Sequence, residues 1–381
     1  MPTGTDKRKL NRRDLIFGVG STLSFFVLGG SPLIAKAQAA EASPTKKKIA
    51  PNYFNEDILH RNEHPFGISN RLKGQLQDIC AEAPLHHYKF LNDQTDDLKK
   101  ALSKKLNLSP DLLFLAPGAG PTLEKILNTI RWENSSLAIS DPDFYFLTRV
   151  AEYLKIKHYK VPTNAKNEVD LEALAKTGAG YIYFSNPHVP YGKAKSRSDI
   201  EALLKSVKSN CIVVVDEAYS EFSDRYNEIT ALDLVKKYKN LVVVRTFSKI
   251  YGLASLRIGY YATQNKKFSE YFTIYTVSAL AAKAAVLALE DKEHFAETFK
   301  YVKQAKEKIV NAAAARGIPT ISSEANFVTL LTKTDQRRQI VEALNKLRYS
   351  FSAAGKSAYL RLSLVSPQAL EDAIQAITLV K

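Results

Sequence analysis

Four runs in the middle of this chain are apolar without interruption: residues 137–139, 181–184, 211–215 and 241–244. A strand with one face in water alternates apolar and polar side chains, so an unbroken run belongs to a strand covered on both faces. Segments with helical spacing lie between the runs, for example residues 198–207. Strands joined by crossover helices lie parallel, because a tight turn can only reverse the chain. Further strands are expected at residues 112–116 and 156–161, and a helix where Leu123, Ile126, Leu127 and Ile130 recur. The expected fold class is therefore α/β: a large domain with a mostly parallel, seven-stranded-type sheet between helices. After residue 278 the pattern changes to helices at 278–289, 295–316, 337–347 and 369–377 with short strands at 327–331 and 359–364. That is the pattern of a smaller α+β domain.

With 381 residues, 45% of them hydrophobic and 24% charged, the chain can bury a full core and fill two domains. The formal net charge is +15, and six basic and two acidic residues fall in the first 39, so the chain beyond them carries +11. Outside Lys46-Lys47-Lys48 the basic residues alternate with acids along amphipathic stretches, the pattern of solvated helix faces. This argues against nucleic acid as a partner and for anionic small molecules. Cys80 and Cys211 are the only cysteines, and no histidine falls near either in a zinc-binding spacing.

The first 39 residues stand apart. Lys7-Arg8-Lys9-Leu10-Asn11-Arg12-Arg13 is a basic head, residues 15–35 are largely apolar, and Ala37-Gln38-Ala39 has the small-x-small pattern of a signal-peptidase site. The segment resembles a twin-arginine export signal, which implies the twin-arginine export machinery as a partner and a periplasmic or secreted destination. An uncleaved membrane anchor is the alternative reading of the same apolar run. Residues 40–60 then read as a flexible leader, 61–263 as the large domain, its first residues packing on the small one, and 264–381 as the small domain.

Polar residues gather where the strands end, which is where parallel sheets bind ligands. The run at 241–245 leads into Thr246-Phe247-Ser248-Lys249, with Arg257 eight positions further on. A lysine at the end of a buried strand can be desolvated into a nucleophile toward a carbonyl, or can be a surface residue after a strand. Pro117-Gly118-Ala119-Gly120 joins a strand to a helix, and free N–H groups with the helix dipole make such a turn a site for phosphate. Asp216 and Tyr219 follow the run at 211–215, where Asp216 could also serve as a helix cap.

Together, Asp216, Tyr219 and the Thr246-Phe247-Ser248-Lys249…Arg257-Ile258-Gly259 run resemble the pyridoxal-phosphate-dependent aminotransferases of the aspartate aminotransferase fold (fold type I, class I/II). Within these they are most similar to the histidinol-phosphate aminotransferase branch, over residues 61 to the C-terminus. The resemblance implies pyridoxal 5′-phosphate as cofactor and an amino acid and a 2-oxo acid as substrates. It makes Lys249 the Schiff-base residue that moves the substrate α-proton, and Asp216 the partner of the pyridinium nitrogen. Arg257, Ser248, Thr246 and the Gly118-Ala119-Gly120 turn would hold the phosphate, Phe144 would stack on the ring, and Tyr219 would bond its O3′ oxygen. Arg361 would clamp the substrate α-carboxylate with its planar fork, with Phe66 and Asn186 on the substrate side. Tyr88 would reach into a neighbouring subunit's phosphate site, which implies a homodimer.

Three departures from that family stand in the sequence. Where an asparagine normally bonds O3′, in the segment Asn186-Pro187-His188-Val189-Pro190-Tyr191-Gly192, this chain has Val189. With one donor gone, and Tyr219 and either Asn186 or His188 left, the Lys249 Schiff base should titrate higher than in its relatives. Pro121 enters the phosphate turn without an N–H, so the backbone contacts there must be redistributed. The extra arginine for a substrate phosphate is absent near Ser350-Phe351-Ser352, which favours an ordinary amino acid over histidinol phosphate. Competing readings are other pyridoxal-phosphate chemistry (decarboxylase, β-lyase or amino-acid cyclase) and a non-catalytic binding protein on the same fold.

Overall fold

The computed structural model describes residues 59–271, 277–347, 349 and 359–380. The export segment, the leader up to residue 58 and Ser350-Phe351-Ser352 lie outside the described residues. Two helices come first, α1 (Asn70–Glu82) and α2 (Tyr88–Leu106). The sheet then begins with β1 (Leu113–Ala116), α3 (Ala119–Trp132), β2 (Ser136–Asp141), α4 (Tyr145–Tyr153) and β3 (Lys157–Pro162). Next follow α5 (Leu171–Lys176), β4 (Tyr181–Ser185), α6 (Arg197–Ser206), β5 (Ile212–Asp216), α7 (Tyr226–Ile229), β6 (Leu241–Thr246) and β7 (Gly259–Thr263). The rest is α8 (Lys266–Tyr271), α9 (Ala279–Glu290), α10 (Lys292–Ala314), β8 (Thr320–Ile321), β9 (Phe327–Leu331), α11 (Thr334–Lys346), β10 (Tyr359–Ser363) and α12 (Pro367–Thr378).

Seven strands form one sheet in the order β1-β7-β6-β5-β4-β2-β3, and only β7 runs against the others. Every residue of β4, β5 and β6 is buried, as their unbroken apolar runs require. Each Val, Leu or Ile side chain so covered contributes roughly 1.5–3 kcal/mol. A second sheet, β10-β9-β8, is antiparallel throughout. All described residues belong to one compact unit. Residues 59–63 run along the second sheet, where the Ser363 N–H bonds the Leu59 carbonyl (3.0 Å) and Asn326 Nδ2 bonds the Asn62 carbonyl (3.1 Å).

Two elements differ from the periodicity reading. The spacing of apolar residues over 98–108 predicts a helix there, and α2 starts ten residues earlier, because Asn92, Asp93, Gln94, Thr95, Asp96 and Asp97 conceal its apolar stripe. Strand β7 was not expected: it pairs Gly259 with Thr246, so the Lys249 segment is the loop of an antiparallel β6–β7 pair rather than the start of a crossover. A Cβ at Gly259 would lie 2.6 Å from the Arg245 carbonyl oxygen and 3.0 Å from the Gly118 Cα, so this register needs glycine there.

One charge enters the sheet. Arg245 on β6 is 1% exposed and survives burial because its Nη2 lies 2.5 Å from the Glu217 carboxylate, with Glu221 at 3.3 Å and Thr230 and Tyr226 taking further N–H groups. Glu217 and Glu221 follow β5, so this cluster ties the ends of β5 and β6 together just beside Asp216 and Lys249.

Candidate active site

Strands β5 and β6 are neighbours in the sheet, so the residues after them meet in space. Lys249 Nζ donates to the Arg61 carbonyl at 2.6 Å and lies 5.5 Å from the centre of the Tyr219 ring. Asp216 ends β5, 5% exposed, accepting from the Ala218 N–H (3.1 Å) and the Tyr183 hydroxyl (3.2 Å). Burial pushes its carboxyl up to about 7, against the Ala218 hydrogen bond, and the charge of nearby Asp143 adds to the rise. A carboxyl in that setting is completed by a cationic partner, which would return it to the carboxylate.

At the other end of the Lys249 loop, Thr246 Oγ1 lies 2.9 Å from Ser248 Oγ and accepts the Ser248 N–H. Arg257 adopts φ 51°, which turns its guanidinium back: Nη1 donates to the Ala254 carbonyl (2.9 Å) and sits 3.5 Å from Ser248 Oγ. The same guanidinium packs against Gly118, the N-cap of α3, at φ 95°. Ala119 and Gly120 open α3 with N–H groups that have no partner within the helix. Pro121 follows in the first turn, where its fixed φ suits a helix start but no N–H is supplied. Two hydroxyls, one guanidinium and a helix N-terminus thus converge, a donor set for a phosphate.

Arg361 on β10 supplies the third cation. Its Nη2 donates to the His60 carbonyl, the guanidinium lies 5.3 Å from the Phe327 ring centre, and its Nε is buried with no hydrogen-bond partner among the described residues. Desolvation lowers its pKa, and among the described residues no carboxylate pairs with it. Such a group is costly to bury alone and is offset by an anion brought in from solvent.

Other expected residues sit differently. Asn186 does not offer its amide to a ligand: Nδ2 donates to the carbonyls of Lys195 and Ile229, and Oδ1 accepts the Lys195 N–H. That corrects both its placement on the substrate side and its use toward O3′, since an amide tied to three backbone groups has nothing left to give. His188 is fully buried, with Nε2 3.3 Å from Ser140 Oγ and 3.4 Å from Asp143. Val189 packs in an apolar group with Ala325, Phe327 and the Tyr219 ring. Phe144, half-buried, is the N-cap of α4, its N–H held by Asp143. Phe66 is 40% exposed against the Tyr301 ring at 4.8 Å, and Tyr88, the first residue of α2, is 75% exposed. Asn62, which was not anticipated, is 1% exposed and donates its amide to the Tyr219 hydroxyl at 3.0 Å.

A family model, aminotransferase class I and II, matches residues 59–377. The chain belongs to that family. It is an aminotransferase, and its cofactor is pyridoxal 5′-phosphate. Among similar proteins, a histidinol-phosphate aminotransferase of Haloferax volcanii is 30% identical over 302 residues, which covers 75% of this chain and 81% of that one. Histidinol-phosphate aminotransferase 2 of Pasteurella multocida is 32% identical over 280 residues, 71% of this chain and 75% of its own. The fold matches the structure of histidinol-phosphate aminotransferase from Sinorhizobium meliloti in complex with pyridoxal-5′-phosphate with a TM-score of 0.75, 24% identity, and coverage of 84% and 89%. The side chains of the site fit the cofactor: a cradle of hydroxyls and guanidinium at Gly118 suits its phosphate, and a buried carboxyl in want of a cation suits its ring nitrogen.

Proposed function

We propose that this aminotransferase moves an amino group between an α-amino acid and a 2-oxo acid, with Lys249 as the residue that links to the cofactor. Pyridoxal phosphate supplies an aldehyde and a ring that accepts the electron pair released at the substrate α-carbon. Lys249 Nζ takes the α-proton and returns it, Asp216 holds the ring nitrogen protonated, and Tyr219 donates to O3′. Thr246, Ser248, Arg257 and the first N–H groups of α3 bind the phosphate, and Phe144 covers the ring.

The observation that carries the substrate class is the buried Arg361 Nε, without a hydrogen-bond partner among the described residues. A planar guanidinium held by Phe327 and the His60 carbonyl suits a carboxylate, which an amino acid has and an amino-alcohol phosphate lacks. Purified protein loaded with cofactor should show a visible absorbance band that Lys249→Ala removes. Single amino acids should discharge that band and yield the matching 2-oxo acids. Carbon dioxide in place of a 2-oxo acid would establish a decarboxylase, and a wild-type protein without the band would end the enzyme reading.

Two further proposals rest on the sequence. The exposed Tyr88 and its match to the family position support a homodimer in which it reaches the partner's phosphate site, tested by the mass in solution and by complementation between Lys249→Ala and Tyr88→Ala chains. The paired Arg12-Arg13, apolar run and Ala37-Gln38-Ala39 support twin-arginine export to the periplasm, tested by whether Arg12→Lys with Arg13→Lys retains the chain in the cytoplasm.

A further inference from the structure

We propose that Asn62 is a positioning residue for Tyr219, taking over part of the task of the asparagine that Val189 replaces. This rests on the reading above that Tyr219 donates to the cofactor's O3′. Tyr219 has apolar neighbours in Val189, Ala325 and Phe327, with the Phe327 ring edge-on at 5.5 Å. Asn62 Nδ2, 3.0 Å from its hydroxyl, is the hydrogen-bond partner of that oxygen among the described residues.

The amide is locked in that direction. Its Oδ1 faces Ser363 Oγ at 2.7 Å, while the Asn62 backbone N–H donates to the same hydroxyl at 3.0 Å and the Asn62 backbone carbonyl accepts from Asn326 Nδ2. Asn62 also adopts φ 53°, a left-handed conformation that asparagine tolerates better than most residues. Ser363 and Asn326 therefore hold a side chain from the arm at residues 59–63 against a phenol at the end of β5.

A phenol that accepts a hydrogen bond must aim its own O–H elsewhere and becomes a stronger donor. With Asn62 as donor, the Tyr219 proton is left for the cofactor oxygen. Weakening that bond leaves O3′ more basic, so the proton shared with the Lys249 nitrogen is held more tightly. The visible band's pH midpoint then rises.

The test is a pH titration of that band in cofactor-loaded wild type, Asn62→Gly, Tyr219→Phe and the double variant. Glycine keeps the φ of 53° without strain, so the arm can retain its path. Asn62→Gly should raise the midpoint by about half to one pH unit, and Tyr219→Phe by more. The double variant should titrate with Tyr219→Phe, because Asn62 acts only through the phenol. Asn62→Asp, which keeps the shape but turns the donor into an acceptor, should raise the midpoint at least as far as Asn62→Gly. An unshifted midpoint in both Asn62 variants, or a double variant in which the two shifts add, overturns the assignment while leaving the aminotransferase reading intact. A wild type without the band overturns both.

Discussion

The Arg257 guanidinium fills the space a side chain at Gly118 would need: a Cβ there would lie 2.7 Å from Nη2 and 3.3 Å from Cζ. The contact joins the N-terminus of α3 to the loop after β6, so glycine here is required both by the guanidinium and by a φ of 95°. Gly118→Ala should push Arg257 from the phosphate cradle and lower cofactor affinity by tenfold or more, roughly 1.4 kcal/mol. Titrating the apoprotein with pyridoxal phosphate measures it. Gly120→Ala, where a Cβ meets nothing within 4 Å, should stay near wild type.

How much of this was legible beforehand follows from the range of each contact. That Asp216 ends one buried strand and the run at 246–249 sits at the end of another could be read because a strand's end is marked in its own sequence, by an apolar run giving way to polar residues. Asn186 was misassigned because sequence shows which groups are polar but not which are already bonded; its partners lie nine and forty-three residues away. Asn62 was hidden in a polar loop, since the contacts that give it meaning cross 157 residues to Tyr219 and 301 to Ser363. The antiparallel return of β7 was masked by its shortness: five residues opening on Gly259, whose register is set by close approach to the Arg245 carbonyl and Gly118, contacts that the local sequence does not show.

Val189→Asn offers the missing donor at a place built for an aliphatic side chain. It should lower the pH midpoint of the visible band toward that of the family's usual pattern, since an added hydrogen bond to O3′ weakens the hold on the shared proton. It should also cost about 1–3 kcal/mol of stability in the apoprotein, where the amide faces Ala325 and Phe327. Thermal melts with and without cofactor separate the two effects. A midpoint that does not move would sink the donor argument.

Arg361→Lys keeps the charge and removes the fork. The KM for the amino acid should rise by about tenfold or more, because a single ammonium cannot bond both carboxylate oxygens in the guanidinium plane. The midpoint of the visible band without substrate should stay within about half a unit of wild type, since Arg361 is assigned to the substrate rather than to the cofactor ring. Equal loss with and without substrate present would move Arg361 to a structural role beside Phe327 and His60.

Asp216 makes the apoprotein sensitive to pH in a defined direction. Its folded carboxyl titrates at about 7 and an unfolded aspartate near 3.9, so between these values the native state holds a proton that the unfolded state has released. Its contribution to stability is therefore full below about pH 4 and is lost as pH rises through 7. Compared with Asp216→Asn, which cannot ionise, the wild-type apoprotein should lose on the order of a few kcal/mol between pH 4 and 8, read from denaturant midpoints at each pH. Cofactor should reverse the trend, because a protonated ring nitrogen stabilises the carboxylate and not the acid. Holoprotein whose stability relative to Asp216→Asn still falls over that range would show that the ring nitrogen does not meet this carboxyl.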